Sequence, residues 1–110
     1  MKSKISIEIE MDENKYPEKI SWTSQSEGEE GRNTESKAFF LSLFDRKTKD
    51  TLEMDLWTKD MQVIEMDRYI FQTLTSLADM YYRATKNVEL ANEMQGFARF
   101  FGEKTKIIVK

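Results

Sequence analysis

The feature that most constrains the fold is a change in hydrophobic period about halfway along the chain. In the first half, apolar residues alternate with polar ones, as they do in half-buried β-strands. In the second half, apolar residues recur every three or four positions, which is the spacing of amphipathic helices. The sequence therefore predicts an α+β fold in which the strands come first and the helices follow.

Two strands are predicted near the N-terminus, over Ser3–Met11 and Lys19–Ser24. The first alternates Ile5, Ile7 and Ile9 with polar residues. Turn-forming residues end it, and Pro17, which has no N–H donor, is expected just before the second strand and not within it.

The next segments predict a loop followed by a hairpin. Residues 25–35 contain no aliphatic side chain and are expected to form a loop. Lys37–Asp45 and Thr51–Thr58 are two apolar runs on either side of a polar segment, Arg46–Lys49, and this spacing favours two antiparallel strands. A helix over residues 35–47 is the competing interpretation.

Two amphipathic helices are predicted over Gln62–Lys86 and Val88–Lys104, with Asn87 ending the first and capping the second. They are the only available cover for an apolar sheet face. The predicted fold is a four-stranded antiparallel sheet followed by two helices packed on one face (ββββαα), as a single domain over residues 1–110. The faces expected beneath the helices contain Ile5, Trp22, Leu41 and Met54. Residues 106–110 are expected to form a frayed tail or a short extra strand.

The composition excludes several function classes. The 110 residues include no histidine and no cysteine, so the commonest general base, the thiolate nucleophile and the usual ligands of zinc, copper and iron are missing. No catalytic residue, cofactor or metal site is predicted, and the chain is not expected to be an enzyme. The net charge of −3 argues against binding of nucleic acid. The sequence shows neither a signal peptide nor a run of ~20 apolar residues, so we expect no membrane insertion and a cytoplasmic protein.

The acidic clusters are interpreted as ordinary solvated surface. Glu53 and Asp55 share one strand face and would be the acid–base pair of an enzyme, but alternating charges are also typical of an exposed face. The glutamates of segment 27–30 do not have the spacing of a calcium loop. Asp67 falls within an apolar helical stripe. It also lies in the first turns of the predicted helix, where the helix dipole favours a carboxylate.

The second face of the hairpin is the most informative feature. If its aliphatic residues face the helices, alternation places Phe40, Phe44 and Trp57 on the opposite side, among Ser42, Glu53 and Asp55. Large aromatic side chains within a polar rim are typical of a protein contact surface. Phe40, Phe44 and Trp57 are therefore the predicted partner-binding residues. Two alternatives stay open: the rings are covered within the chain, or this face binds a second copy instead of a foreign protein.

Two motifs resemble the gliding-motility protein C (GldC) family of gliding bacteria. They are Met11–Trp22 (M-D-E-N-K-Y-P-E-K-I-S-W) and Asp55–Met61 (D-L-W-T-K-D-M), and the resemblance runs from about Ile5 to Lys104. The family pattern is expected to continue with a proline and an acidic residue, where this chain has Gln62 and Ile64.

The resemblance implies a non-enzymatic, cytoplasmic accessory protein of the gliding apparatus or of the protein-secretion system associated with it. It would bind protein partners of that apparatus, and no catalytic residues come with the family. The predicted order of strands and helices is also that of SecB-like export chaperones, which are oligomeric. A holding chaperone for secretory clients is therefore the alternative function.

Overall fold

The change in hydrophobic period coincides with a division of the structure into two units. The computed structural model describes residues 1–29 and 31–109. Met1–Met61 form the first unit and contain the strands, and Gln62–Lys110 form the second and contain the helices. The expectations that concern both units together, a single domain and helices packed on a sheet face, stay predictions.

The described residues of the first unit form five strands in two antiparallel sheets. The strands are β1 (Ser3–Met11), β2 (Pro17–Ser26), β3 (Arg32–Ser36), β4 (Ala38–Phe44) and β5 (Thr51–Trp57). The first sheet has the order β1-β2-β3, and the second pairs β4 with β5. The α+β class is confirmed, and so is the hairpin, which excludes the competing helix over residues 35–47. The prediction of one four-stranded sheet is wrong.

Strand β3 is the element that the sequence prediction missed, because it was assigned to the loop over residues 25–35. Its five residues (RNTES) show no apolar alternation. They pair with β2 through the backbone, and Thr34 lies opposite Trp22. Strand β2 also extends beyond its predicted bounds, and Pro17 is its first residue, a position where a missing N–H is tolerated.

The two sheets meet at Lys37, the one residue between β3 and β4. Its carbonyl accepts a hydrogen bond of 2.7 Å from the Thr58 N–H, immediately after β5. The next N–H, of Lys59, donates to the Pro17 carbonyl at 3.1 Å. The end of β5 is therefore fixed beside the start of β2.

The core of the first unit is small and lies near this junction. Ile20 is 1% exposed and lies opposite Ile9 in β1 and Ser36 in β3. The four residues expected beneath the helices, Ile5, Trp22, Leu41 and Met54, are all exposed, by between 37% and 71%. The first unit alone leaves them exposed, because its strands divide into two small sheets and do not form one continuous apolar face. Their expected packing beneath the helices concerns both units and stays a prediction.

The second unit consists of α1 (Val63–Thr85) and α2 (Val88–Lys104), which confirms both predicted helices. Helix α1 begins where the Gln62 N–H donates to the Glu65 carboxylate at 2.9 Å. It ends at Lys86, which has a φ of 61°. The Asn87 side chain accepts the Leu90 N–H at 3.1 Å and caps α2 as predicted.

The helices approach closely at small residues. Ala78, Ala91 and Ala98 are buried, as is Gly102 near the end of α2. The tail folds back here, and the Ile108 N–H donates to the Gly102 carbonyl at 3.0 Å. Residues 106–109 form no strand, and Lys110 lies outside the described residues.

Gly102→Ala is expected to destabilise the second unit, although alanine is the better helix former. A Cβ at this position would lie 2.8 Å from the Phe71 ring and 2.7 Å from the Ile108 side chain, both too close. Overpacking of this kind costs about 1–3 kcal/mol, which exceeds the gain in helix propensity of about 1 kcal/mol. The measurement is urea denaturation followed by far-ultraviolet circular dichroism.

Gly96→Ala in the same helix is the matched control. A Cβ at Gly96 would meet no atom within 4 Å. This variant should raise the free energy of unfolding by about 0.5–1 kcal/mol. Equal effects of the two substitutions would contradict the close packing at Gly102.

Candidate interaction surface

The register of the β4–β5 hairpin determines which side chains share a face. Residues that lie opposite each other in an antiparallel pair point to the same side. Phe40 lies opposite Asp55, Ser42 opposite Glu53, and Ala38 opposite Trp57. These pairs and the Phe44–Thr51 pair form one face, which we call the aromatic face. The prediction that Phe40, Phe44 and Trp57 share a side with Ser42, Glu53 and Asp55 is confirmed.

The three aromatic side chains are exposed but do not form one cluster. Phe40 is 50%, Trp57 54% and Phe44 67% exposed. Phe40 and Trp57 are diagonal neighbours across the two strands, a separation of about 7–8 Å between backbones. Phe44 lies four residues further along β4, about 13 Å away, next to the hairpin loop. The face thus offers a pair of rings at one end, a single ring at the other and polar residues between them.

The polar centre of the aromatic face is acidic. A hydrogen bond with the Asp55 carboxyl raises the pKa of Glu53, and partial desolvation and charge repulsion act in the same direction. No basic residue lies on this face of either strand. A partner that covers it is therefore favoured if it places a cationic or hydrogen-bond donor group over the two carboxyls.

The opposite side of the hairpin, which we call the aliphatic face, is entirely apolar. Its directly opposed pairs are Phe39–Leu56, Leu41–Met54 and Leu43–Leu52. Leu43, Leu52 and Met54 are each more than half exposed. Both faces of this two-stranded sheet therefore expose large apolar side chains.

Asp45 holds the hairpin loop in one conformation. Its Oδ1 accepts the N–H groups of Lys47 at 2.9 Å and Thr48 at 3.1 Å. These two hydrogen bonds, from Thr48 first, lower the pKa of Asp45. Lys49 has a φ of 64°, which lets its N–H reach the Asp45 carbonyl at 3.1 Å. The loop that begins beside Phe44 is thus well defined.

The structure brings together the two motifs that carry the family resemblance. Lys59, from the second motif, donates to Asp12 Oδ2 at 2.9 Å and to Glu18 Oε1 at 3.1 Å, both from the first. The hydrogen bond to Asp12, followed by that to Glu18, raises the pKa of Lys59. These contacts stabilise the chain just after β5 ends at Trp57, so Asp12, Glu18 and Lys59 have a structural role.

Thr58 and Asp60 complete this junction. Thr58 is 3% exposed, and its hydroxyl donates to Asp60 Oδ1 at 2.6 Å. This hydrogen bond lowers the pKa of Asp60. The sequence marked this segment as part of a motif but gave no sign that Thr58 is the most buried polar residue among those described in the first unit.

Asp12→Asn is expected to lower the melting temperature at pH 7 by a few degrees. Asp12 Oδ1 accepts the N–H groups of Tyr16 and Asn14, and the Tyr16 hydrogen bond is the main cause of its lowered pKa, followed by that to Lys59. A carboxyl whose pKa is lowered by folding stabilises the protein at pH values above 3.8, its ordinary pKa in the unfolded chain. This contribution is lost as the pH falls through the lower pKa of the folded state. A series of melting curves from pH 7 down to well below the ordinary value of 3.8 tests this.

The difference in melting temperature between wild type and Asp12→Asn should therefore shrink as the pH is lowered into the acid range. Glu13→Gln, one residue further on at an exposed turn position, is the control and should change little at either pH. A difference for Asp12→Asn that does not shrink at all as the pH is lowered from 7 to the acid limit of the folded protein would show that the carboxylate charge is not its source.

The other acidic candidates do not converge on a site. Asp67 lies in the second turn of α1 and is half-buried. Glu27 and Glu29 are exposed at the turn after β2, while Glu30 lies outside the described residues. In the part of the chain that the structure describes, no three His, Cys, Asp or Glu side chains are grouped so that they could hold a metal ion.

The second unit contains an apolar groove that the sequence analysis did not single out. It has a volume of about 570 Å³, and its lining comes from both helices and is apolar except for Glu93: Leu74, Leu77, Tyr81, Leu90, Glu93, Met94 and Phe97. The spacing of apolar residues marked the two stripes, but whether they meet completely or leave a groove depends on side-chain packing.

The comparisons with known proteins concern the family. The sequence profile of the family described as "Gliding motility-associated protein GldC-like" matches residues 17–107, which is most of the chain. The search of curated proteins and the search of solved structures found no match. Within the described residues, neither helix is long and apolar enough to cross a membrane. The match covers β2 to the tail after α2, including the junction at Lys59, and the chain therefore belongs to the GldC-like family of gliding motility-associated proteins.

Proposed function

We propose that this chain is a non-enzymatic accessory protein of a gliding-motility apparatus, or of the protein-secretion system associated with it, and that it acts by binding another protein. Family membership supports the association with gliding motility. The observation that carries the mode of action is the aromatic face, where Phe40, Phe44 and Trp57 are all at least half exposed. The proposed location is the cytoplasm.

The chemistry of the aromatic face describes its partner. Exposed aromatic rings supply large contact areas and are enriched at interface hot spots. The acidic pair Glu53–Asp55 between them favours a partner with basic or amide groups opposite. The loop fixed by Asp45 and the junction fixed by Lys59 hold the two ends of this surface, so little of it has to become ordered on binding.

A complementation experiment in a gliding bacterium that encodes a protein of this family tests the proposal. The resident gene is replaced by the variant Phe44→Ser/Trp57→Ser, and colony spreading and protein secretion are both recorded. We expect loss of spreading or secretion at normal protein level. Full activity of a folded and normally expressed double variant would contradict a role for this face.

A holding chaperone is the second candidate function. The exposed residues of the aliphatic face favour it, because chaperones of this kind bind unfolded clients through apolar surface. Light scattering from a heated, unrelated client protein separates the two proposals. Suppressed aggregation at stoichiometric amounts supports the chaperone, and unchanged aggregation supports a protein with a defined partner.

A further inference from the structure

We propose that the free edge of β4 pairs with β4 of a second copy, so that two hairpins form one four-stranded antiparallel sheet. The inference goes beyond the proposed function and does not depend on it. It concerns the backbone edge of the hairpin, whereas the proposed function concerns the side chains of its aromatic face.

The first observation is that β4 is an unprotected edge. The edge strands of the two sheets are β1, β3, β4 and β5. Natural proteins protect exposed edges with charged residues or proline, which prevent pairing with other chains. Within the described residues, β1 carries Lys4, Glu8 and Glu10, β3 carries Arg32 and Glu35, and β5 carries Glu53 and Asp55. The sequence of β4, AFFLSLF, has neither a charge nor a proline.

The second observation is that, among the residues that the structure describes, β4 and β5 are the only strands of their sheet. An isolated two-stranded sheet is marginally stable in water, and it becomes independently stable with three or more strands and an apolar face, or by packing against a helix. Pairing of β4 with a second β4 would give the order β5-β4-β4-β5. This number of strands meets the requirement without any other element.

The third observation is that β4 is complementary to itself. In an antiparallel pair related by a two-fold axis through Leu41, Phe39 lies opposite Leu43 of the other copy and Phe40 opposite Ser42. Residues on the same face of the hairpin therefore meet, so the aliphatic faces of the two copies become continuous. The chain carries a net charge of −3, and this uncharged edge brings two copies together without like charges in contact.

These observations favour a second copy over a foreign strand as the occupant. A seven-residue segment of high β-propensity without charge is a site of aggregation when it is exposed. It needs a partner that is present whenever the chain is present. Another copy of the chain meets that condition by necessity.

Ser42→Lys tests the pairing. The new ammonium group lies opposite Glu53 of its own hairpin, a favourable cross-strand pair, so the hairpin itself is retained. Across the two-fold axis the two lysines repel each other. Analytical ultracentrifugation of the purified wild-type chain should give twice the chain mass of 13.0 kDa. Ser42→Lys should raise the dissociation constant of the dimer at least about tenfold.

Thr34→Lys is the matched control, because it places the same charge on the edge strand β3. It should leave the mass of the assembly unchanged. A monomeric wild-type chain overturns the proposal, as does an assembly that Ser42→Lys does not weaken or that Thr34→Lys weakens equally.

Cysteine cross-linking gives a second measurement that does not depend on a disruptive variant. The chain contains no cysteine, so Leu41→Cys introduces a single thiol. Mild oxidation should convert most of this variant into a disulfide-linked dimer, because residues beside the two-fold axis lie face to face. Thr34→Cys should remain largely uncross-linked. Equal cross-linking at both positions, or none at Leu41, contradicts the proposed pairing.

Discussion

Replacing Trp57 with serine is expected to weaken capture of the partner protein by about 30-fold or more, which corresponds to the 2 kcal/mol or more that a tryptophan hot spot contributes. Trp57 is 54% exposed and is the diagonal neighbour of Phe40 on the aromatic face. Burial of this ring pair should be the largest single contribution to the interface. The measurement is retention of the partner from a lysate of the native host on immobilised wild-type and variant chains, quantified by titration.

Phe100→Ser is the matched control for this experiment. Phe100 lies on α2 and is 53% exposed, so this substitution removes an aromatic ring that is about as exposed as Trp57 but belongs to the other unit. Its capture of the partner should stay within about twofold of wild type, as is typical of residues outside a hot spot. Equal losses for the two variants would mean that the aromatic face is not the specific surface.

The second large effect is expected in stability. Ile20→Ala should lower the free energy of unfolding by about 2–5 kcal/mol, the range for truncation of a buried isoleucine. Ile20 is 1% exposed and lies in the central strand β2, between Ile9 of β1 and Ser36 of β3. Urea denaturation followed by tryptophan fluorescence measures the loss.

Ile5→Ala makes the same chemical change at an exposed position of the same sheet. Ile5 is 71% exposed and lies opposite Ser24. Its cost should be below about 1 kcal/mol, because little apolar surface is returned to water. A cost for Ile5→Ala as large as that for Ile20→Ala would show that the core of this sheet lies elsewhere.

The contrast between these two isoleucines also shows what the alternating pattern could predict. The alternation of β1 placed Ile5, Ile7 and Ile9 on one face, and the strand was located at its observed bounds. The pattern does not reveal how much of that face another element covers. Only Ile9, opposite Ile20, is near the buried centre.

The helices were the most predictable elements because their signals are local. Apolar residues every three or four positions mark α1 and α2. The start of α2 is set by the Asn87 side chain, which accepts a hydrogen bond from the N–H of Leu90, three residues later. Helical hydrogen bonds join neighbours in sequence, so a window of sequence contains most of the information.

Strand β3 and the division into two sheets could not be predicted from the same kind of pattern. The exposed residues of β3 are held by backbone pairing with β2. At the junction of the two sheets the Lys37 carbonyl accepts the N–H of Thr58, which comes after the hairpin. These contacts are non-local, and no side-chain periodicity encodes them.

For the candidate surface, sequence reasoning placed the rings on the correct face but did not predict their spacing. Alternation alone placed Phe40, Phe44 and Trp57 on one side. The observed register adds that Phe40 and Trp57 are neighbours, whereas Phe44 is separated from them by Ser42 and the Glu53–Asp55 pair. The expected effects on partner capture should therefore be larger for Phe40 and Trp57 than for Phe44.

Photo-cross-linking in living cells of a gliding host tests the central claim most directly. A photoreactive phenylalanine analogue is incorporated at Phe40, on the aromatic face, and at Phe100, on α2, as two separate variants. A contact surface at the hairpin predicts a defined adduct with a second protein from position 40 and none of that mass from position 100. Adducts of the same mass and yield from both positions, or an adduct from position 100 alone, would contradict it.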